Sequence, residues 1–326
     1  MIVTFTANPC VDVTFDVPTF RINDVNRAES STRDPAGKGI NVSRALARNG
    51  VQTVAVFPSD PVNGRWIIDA LDLENIESMT TTIGESVRTN VTLVDAAGNV
   101  TRVSDVGPTI SPDERDALFA QVISALAVRP AWLVLAGTLP PGLNGDWFVT
   151  LANAARDVGV RVAVDSSGDS MRAVAQAGVS DLLKPNHAEL EELAERPLPT
   201  VDDVVDFARS LLRNDDATAL VSLGSHGALA VTLDSALWAG QHGVITHNSV
   251  GAGDCALAGF LSADLRCTRD EIGGEEGLTE RLTTAVAWGA AKVALPATTM
   301  PGPQNITPER VVVNENPPGK TRIEDL

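Results

Sequence analysis

Residues 248–260, with the sequence NSVGAGDCALAGF, form the most specific pattern in the chain: a glycine turn that opens a helix of small residues. The first N–H groups of a helix have no partner within it, and the positive end of the helix dipole adds to their attraction for anions. Gly251 and Gly253 lack a Cβ, so a phosphate can approach the backbone closely. Asp254 follows in the first helical turn, where its carboxylate can accept a proton from an attacking hydroxyl group. A plain helix-capping role for Asp254 is the alternative interpretation.

The same glycine turn also matches a loose dinucleotide-binding pattern, GxGxxA, over residues 251–256. That match would indicate an NAD-binding oxidoreductase. However, residues 241–249 are too polar for a clean strand, and no isolated acidic residue follows at the end of a second strand. The oxidoreductase therefore remains a distant alternative, which a fluorescence titration with NADH would test.

Outward from this turn, short apolar runs alternate with helical patterns, which is typical of parallel β-α-β units in an α/β layer fold. The predicted strands are 2–6, 53–57, 132–136, 160–165 and 219–223. The predicted helices are 40–48, 113–127, 147–158, 201–213, 252–265 and 278–295.

Two segments differ from this pattern, and in the first of them apolar and polar residues alternate strictly. Residues 11–17 read VDVTFDV, and residues 91–103 predict a hairpin around the turn 96–99. Strict alternation predicts one buried and one solvated face, which suits a small antiparallel sheet outside the main layer. Such a sheet could be a lid over a site, a subunit contact, or a pair of ordinary edge strands.

Composition and charge exclude several classes of protein. The chain has 326 residues, with 25 basic and 42 acidic side chains and a net charge of −17, so a general nucleic-acid or anionic-membrane binder is not expected. Three cysteines without CxxC spacing indicate neither a disulfide framework nor a zinc site. The N-terminus lacks the pattern of a signal peptide, and no apolar run is long enough to span a membrane. We therefore expect a cytoplasmic protein.

A second glycine turn occurs at residues 34–42, DPAGKGINV. It is not a Walker A loop, because Thr32 replaces the first glycine and Gly39 replaces the serine or threonine. A Gly-Lys-Gly turn at a helix start nevertheless offers a second anion site with a cation. Asn41 could hydrogen-bond sugar hydroxyl groups. A solvated lysine in a loop is the alternative.

The order of several segments resembles the ribokinase-like PfkB family of sugar kinases, and the resemblance extends from residue 1 to about residue 300. The segments are NPCVD, AGKGINVSRALARNG, VRTNV, AGTLPPG, DSSG, LLKPNHAEL, VSLGSHGALA and SVGAGDCALAGF. Lys38, Arg27 and Arg88 with Asn90 resemble the phosphosugar branch of the family. The resemblance implies ATP- and Mg²⁺-dependent phosphorylation of a phosphosugar hydroxyl group. Fructose 1-phosphate is the expected substrate, with tagatose 6-phosphate and fructose 6-phosphate as alternatives.

The resemblance also implies roles for individual residues. Asp254 would be the catalytic base, and Gly251, Ala252 and Gly253 would form the anion hole. The phosphosugar would be bound by Asp12, Arg27, Gly37, Lys38, Asn41, Arg88, Asn90 and Thr138. ATP would be bound by Lys184, Asn186, Ser222, Gly224, Gly227 and Gly253. Asn186 and Glu189 would organise Mg²⁺, largely through water.

The implied fold is a three-layer α/β/α core with a mainly parallel sheet and a small β-sheet lid. The core would comprise residues 1–11, 35–85 and 106–313, and the lid residues 12–34 and 86–105, with pairing of lids giving a homodimer. Residues 314–326, rich in Pro, Gly and charge, predict a disordered tail.

The chain departs from the family pattern in three places, which are the sequence FPSDP at 57–61, Ser104, and the segment 237–248 before the glycine turn. The first two affect the expected sugar selectivity and the third the nucleotide pocket. A non-catalytic sugar-phosphate sensor on the same fold remains an alternative.

Overall fold

The computed structural model describes residues 1–268, 274–296 and 298–326. Within them the strands are β1 (Ile2–Thr6), β2 (Cys10–Val17), β3 (Ser30–Ala36), β4 (Thr53–Ser59), β5 (Glu77–Thr82), β6 (Arg88–Asp95), β7 (Val100–Val103), β8 (Trp132–Ala136), β9 (Arg161–Asp165), β10 (Leu182–Leu183), β11 (Thr218–Ser222), β12 (Ala228–Val231), β13 (Ala236–Gly240) and β14 (Val312–Asn314). The helices are α1 (Lys38–Arg48), α2 (Asn63–Leu73), α3 (Pro112–Leu126), α4 (Asp146–Asp157), α5 (Gly168–Ala177), α6 (His187–Ala194), α7 (Val201–Leu211), α8 (Ala252–Asp264) and α9 (Glu275–Val293).

The main sheet has the strand order β14-β13-β12-β11-β10-β9-β8-β1-β4-β5. Its strands are parallel from β5 to β11, and the last three pairings, from β11 to β14, are antiparallel. The mainly parallel core predicted from the sequence is therefore confirmed. The predicted core range 106–313 includes residues 269–273 and 297, which lie outside the described residues.

Helices cover both faces of this sheet, as the alternation along β8 demonstrates. Leu133 and Leu135 belong to a core that also contains Phe148 of α4. Trp132, Val134 and Ala136 belong to a second core with residues of α1, α8 and α9. Because successive side chains of a strand point to opposite faces, both faces of the sheet are buried and the fold has three layers.

The smaller sheet has the order β3-β2-β6-β7 and is built from the two alternating segments. The hairpin between β6 and β7 is present, and β2 also pairs antiparallel with β3. The antiparallel expectation is wrong for the central pair, because β2 and β6 run parallel. The long stretch of core between these two strands allows this, since parallel neighbours need a long connection rather than a tight turn.

Residues 314–326, expected to be disordered, lie against the start of α7 instead. The backbone N–H groups of Val201 and Asp202 donate to Thr321 O and Gly319 O, at 3.0 and 2.8 Å. Ile323 is buried. The tail therefore satisfies N–H groups that the first turn of a helix leaves without partners, an interaction that composition alone does not reveal.

The sequence analysis also missed strands at both ends of the main sheet, β5 and β12–β14. Residues 77–82 read ESMTTT, which has too few apolar side chains to predict a strand. Among the described residues, none of the helices is both long enough and apolar enough to cross a membrane.

Candidate active site

The glycine turn 251–253 begins α8, with Gly251 in the left-handed region at φ +79°. The Cys255 N–H donates to Gly251 O at 2.9 Å, so the helix closes directly on this turn. Asp254 is 6% exposed, and its Oδ2 accepts a hydrogen bond from Asn41 Nδ2 at 2.7 Å. Since Asn41 belongs to α1, the two predicted anion-binding turns meet at one place.

Asp254 has an unusual ionisation. Burial and the nearby charge of Asp165 raise the pKa of Asp254 to about 6, against the hydrogen bond from Asn41 and the charges of Lys38 and Lys184. A general base is most effective when its pKa is close to the working pH. The carboxylate can therefore be ionised at neutral pH and still accept a proton readily.

Asp165, at the end of β9, holds two lysines beside this carboxylate. Its Oδ1 lies 2.7 Å from Lys38 Nζ and its Oδ2 lies 3.0 Å from Lys184 Nζ. Burial alone would raise the pKa of Asp165, but Lys184 and Lys38 hold it below its ordinary value. Burial lowers the pKa of Lys38, but Asp165 and Glu189 outweigh it, so the pKa is raised and the ammonium group stays charged.

The turn that carries Lys38 fits closely against β1. Ile40 N–H donates to Thr6 Oγ1 at 2.9 Å. A methyl group built on Gly39 would lie 2.5 Å from the same oxygen, so only glycine fits there. Gly37 is in the left-handed region at φ +124°. These contacts fix the start of α1, and with it the positions of Lys38 and Asn41.

The small sheet contributes a polar group of side chains to the same region. Asp12 and Asn90 are paired across β2 and β6, and Asn90 Nδ2 donates to Asp12 Oδ1 at 3.0 Å. The thiol of Cys10 also donates to Asp12 Oδ1, at 3.2 Å. Burial, together with the charge of Asp12, raises the pKa of Cys10, so the thiol stays neutral.

Arg88 lies next to this group, where β6 begins. Its Nη1 and Nη2 donate to Asp105 O and Asn8 O, at 2.8 and 3.1 Å. Its Nε is buried and has no hydrogen-bond partner within the described part of the chain. Two backbone carbonyl groups therefore fix the guanidinium group in place.

Two predicted sugar-binding residues, Arg27 and Thr138, make fewer contacts with the other site residues. The side chain of Arg27 is exposed in the loop between β2 and β3 and makes no hydrogen bond or ion pair to the described residues. Thr138 is exposed after β8, next to Gly137. A methyl group built on Gly137 would lie 4.0 Å from Lys38 Cβ, so Thr138 is on the lysine side of the site.

A cavity of about 590 Å³ lies on the other side of the glycine turn, between α8, α9 and the end of β11. Five of the residues predicted to bind ATP line it: Asn186, Ser222, Gly224, Gly227 and Gly253. Lys184 does not line it, but its Nζ lies 3.1 Å from the point where a methyl group on Gly253 would be. A separate cavity of about 700 Å³ beside α3 and α4 contains none of the predicted site residues.

Asn186 and Glu189 are the predicted metal pair, and they form a reciprocal cap at the start of α6. Asn186 Oδ1 accepts from Glu189 N–H, and Glu189 Oε2 accepts from Asn186 N–H, both at 2.8 Å. Glu189 Oε1 lies 3.6 Å from Lys38 Nζ. No group of three or more His, Cys, Asp or Glu suited to a metal occurs in the described ranges. Amide and carboxylate oxygens are donors that Mg²⁺ accepts, so the chemistry of the pair fits Mg²⁺ that keeps most of its waters.

Sequence reasoning missed several residues of this region. Asp165 was recognised only as a strand end, although a carboxylate after a parallel strand is a usable signal. Asn8 and Cys10 both precede the predicted Asp12, and Asn8 Oδ1 is buried without a partner among the described residues. Further residues of the 590 Å³ cavity were also missed: Gln241, His242, Val244, Thr246, Ala285, Val286, Gly289 and Val293.

A three-layer fold with a buried carboxylate at a glycine-lined helix start, close to two lysines, is the arrangement of a phosphoryl-transfer enzyme. The model of the pfkB family of carbohydrate kinases matches residues 6–305, and this chain belongs to that family. The chain is a phosphotransferase that acts on a sugar hydroxyl group, within the phosphosugar kinases of the family. Membership of a kinase family implies the use of ATP.

Individual relatives agree with this assignment. The 1-phosphofructokinase of Bacillus subtilis is 34% identical over 262 residues, which is 80% of this chain and 85% of the relative. The ATP-dependent 6-phosphofructokinase isozyme 2 of Escherichia coli is 33% identical over 266 residues, 81% of this chain and 85% of the relative. The crystal structure of phosphofructokinase-2 from Escherichia coli with substrates and products superimposes with a TM-score of 0.84 at 30% identity. That superposition covers 93% of this chain and 96% of the other. The family resemblance and the ribokinase-like fold predicted from the sequence are confirmed.

Proposed function

We propose that this protein transfers the γ-phosphoryl group of ATP to D-fructose 1-phosphate and produces D-fructose 1,6-bisphosphate. The observation that supports it most is that Asp254 bonds to Asn41 of the lysine-bearing turn and directly follows Gly253, which lines the 590 Å³ cavity. Similarity to both a 1-phosphofructokinase and a 6-phosphofructokinase supports a phosphorylated sugar as acceptor. The polar group of the small sheet, with Arg88, would bind the phosphate that the substrate already carries.

In the proposed reaction, the C6 hydroxyl oxygen attacks the γ-phosphorus while its proton moves to Asp254. A new O–P bond forms, the bond between the γ-phosphorus and the β–γ bridging oxygen breaks, and ADP leaves. The N–H groups of residues 251–253 would bind the migrating phosphoryl group, and Lys38 and Lys184 would neutralise charge around it. Mg²⁺ would supply charge neutralisation of the ATP phosphates, with Asn186 and Glu189 binding its waters.

The sugar specificity is tested by an assay that couples ADP release to NADH oxidation, run with three phosphosugars. We expect kcat/KM to be highest with fructose 1-phosphate. A higher value with tagatose 6-phosphate or fructose 6-phosphate would assign the alternative substrate and leave the kinase mechanism intact. Absence of ADP release with all three would contradict the proposal and favour a sugar-phosphate sensor.

Arg88→Ala should raise the KM for the phosphosugar by about 10- to 100-fold, the loss expected for a charged hydrogen bond, and leave the KM for ATP nearly unchanged. The reason is that Arg88 lies with the small sheet, away from the residues that line the nucleotide cavity. The control is Arg115→Ala, which removes an exposed arginine paired with Asp116 outside the site. Equal changes in both KM values would exclude Arg88 as a ligand of the sugar phosphate.

The pH dependence of kcat/KM should show an acid limb with an apparent pKa near 6, because protonated Asp254 cannot accept the hydroxyl proton. Asn41→Ala should move this limb to higher pH. The Asn41 hydrogen bond favours the ionised carboxylate, so its loss raises the pKa of Asp254. A group with a pKa near 6 changes its charge between about pH 5 and pH 8. A profile that is flat over this interval would contradict the role of Asp254.

The proposal also includes a homodimer formed through the small sheet. Several apolar side chains of this sheet and its connections are exposed, namely Phe20, Ile22, Val25, Val100 and Val103. Arg27 lies in the same connection between β2 and β3, where a second copy could bring it towards a sugar phosphate. Sedimentation equilibrium tests this part, and a monomer at micromolar concentration would contradict it. We propose a cytoplasmic location, which suits a chain whose three cysteines have no CxxC spacing.

A further inference from the structure

Lys292 carries an ammonium group into the interior, and the mechanism described above does not use it. The residue lies in the last turn of α9 and is 0% exposed. A methyl group built on Gly251 would lie 3.5 Å from Lys292 Cε. The side chain therefore runs against the glycine turn that begins α8, on the side of Gly251.

The end of α9 contacts this turn at two further points. Val293 O accepts hydrogen bonds from the N–H groups of His247 and Asn248, at 2.7 and 3.2 Å. A methyl group built on Gly289 would lie 3.4 Å from Ala252 O. The last turn of α9 thus contacts both the residues that precede the glycine turn and the turn itself.

Two ammonium groups consequently flank the glycine turn. Lys184 Nζ lies beside Gly253, and Lys292 lies beside Gly251. Lys184 has a direct carboxylate partner, Asp165, at 3.0 Å. The N–H groups between the two lysines are those that bind the phosphoryl group in the proposed mechanism.

Charged and titratable groups of the described residues face Lys292 from α8, α1 and β3. They are Asp254 and Cys255 of α8, Arg44 of α1 and Asp34 of β3. Burial raises the pKa of the Cys255 thiol, which therefore stays neutral. Arg44 is engaged by Glu74, at 2.7 and 3.0 Å. The negative groups that face Lys292 are thus Asp254 and Asp34.

A lysine in the last helical turn also interacts favourably with the helix dipole, but an exposed lysine makes the same interaction. Burying the ammonium group costs several kcal/mol in general, which a role limited to the dipole would not require. Burial lowers the pKa of Lys292, while Asp254 opposes that change. The contact with Gly251 and the attraction to Asp254 connect this buried charge with the turn.

We propose that Lys292 is a positioning residue for phosphoryl transfer, whose charge behind the glycine turn strengthens anion binding by the turn and keeps Asp254 ionised. The inference rests on the proposed function. Because its side chain is fully buried, Lys292 acts through the turn and through Asp254 and does not touch the phosphosugar or ATP.

Lys292→Met tests this inference, because methionine has a similar length and no charge. We expect kcat to fall about 10- to 100-fold. This decrease is no larger than the decrease caused by removing one direct oxyanion-hole donor. The acid limb of kcat/KM should move to higher pH, since removing a nearby positive charge raises the pKa of Asp254. The melting temperature should fall, since Lys292 is one member of a buried group of charges that includes Asp254. Lys292→Arg should retain part of kcat and the original acid limb.

The matched control is Arg281→Met, on the same helix but at its other end. Arg281 is buried and pairs with Asp264 at 3.4 Å, far along α8 from the glycine turn. This variant should lower the melting temperature and leave kcat and the acid limb unchanged. A fall in kcat in Lys292→Met alone would separate a role in the reaction from a role in folding.

The inference is overturned if Lys292→Met keeps the wild-type kcat and acid limb, or if Lys292→Arg loses as much kcat as Lys292→Met. Failure of the proposed function looks different, since the wild-type protein itself would then release no ADP with any phosphosugar. In that case calorimetry with AMPPNP and ADP still tests the inference. The preference for AMPPNP over ADP should fall in Lys292→Met, and an unchanged preference would overturn it.

Discussion

Replacing Asp254 with asparagine is expected to lower kcat by about 10²- to 10⁴-fold, because the variant has no group that can accept the proton of the sugar hydroxyl. The amide keeps the shape of the side chain and can still accept the hydrogen bond from Asn41. KM values should therefore change little. The measurement is steady-state kinetics in the ADP-release assay under saturating ATP.

The same variant should be at least as stable as the wild-type protein at pH 7.5. The pKa of Asp254 is raised to about 6 in the folded state, above the pKa of the same group in the unfolded chain. Ionisation of Asp254 therefore destabilises the fold as the pH rises from the unfolded-state pKa through 6. Asparagine removes that cost, and urea unfolding should show it. Asp146→Asn is the control, since Asp146 is an exposed acid in the first turn of α4. It should leave kcat unchanged and alter the free energy of unfolding by less than about 1 kcal/mol. Near wild-type turnover in Asp254→Asn would exclude the proposed base.

Replacing Asp165 with asparagine is expected to lower the free energy of unfolding by about 3–5 kcal/mol, the range for breaking a buried ion pair from one side. Asp165 and Lys184 are almost fully buried, and Lys38 is about one third exposed on its side chain. The variant leaves both ammonium groups without their shared carboxylate. Urea unfolding at pH 7 measures the loss.

A second substitution distinguishes the loss of charge balance from a general packing defect. Asp165→Asn combined with Lys184→Met should recover part of the lost stability, because one unpaired buried charge is removed. Asp69→Asn is the control, since Asp69 pairs with Arg65 at the surface and should change stability by less than about 1 kcal/mol. If Asp165→Asn is no more destabilising than Asp69→Asn, the buried cluster does not hold the fold together.

The sequence was informative about elements whose apolar pattern is long and regular. Strands β1 and β8 were predicted with their observed bounds, and the predicted helices agree within a few residues. These segments are buried on both faces or carry a clear apolar stripe, so local composition reflects the tertiary environment. Strand β5 and the antiparallel end of the sheet were missed, because their pairing depends on neighbours distant in sequence.

Within the candidate site, the two glycine turns were recognisable because glycine, lysine and aspartate occur there at close spacing. Asp165 and Lys292 were not recognised, since each is a single charged residue at the end of an ordinary strand or helix. A buried lysine and an exposed one look the same in a single sequence. Only the packing of α9 against α8 distinguishes Lys292 from a solvated side chain.

The pairing of β14 with β13 has a consequence for handling the protein. Val312–Asn314 occupy the outer side of β13, next to the buried side chains of Leu237 and Trp238. A chain truncated before Val312 would expose a row of unpaired backbone N–H and C=O groups beside an apolar surface, which is a template for intermolecular β-pairing. Such a truncation would therefore favour aggregation of the protein.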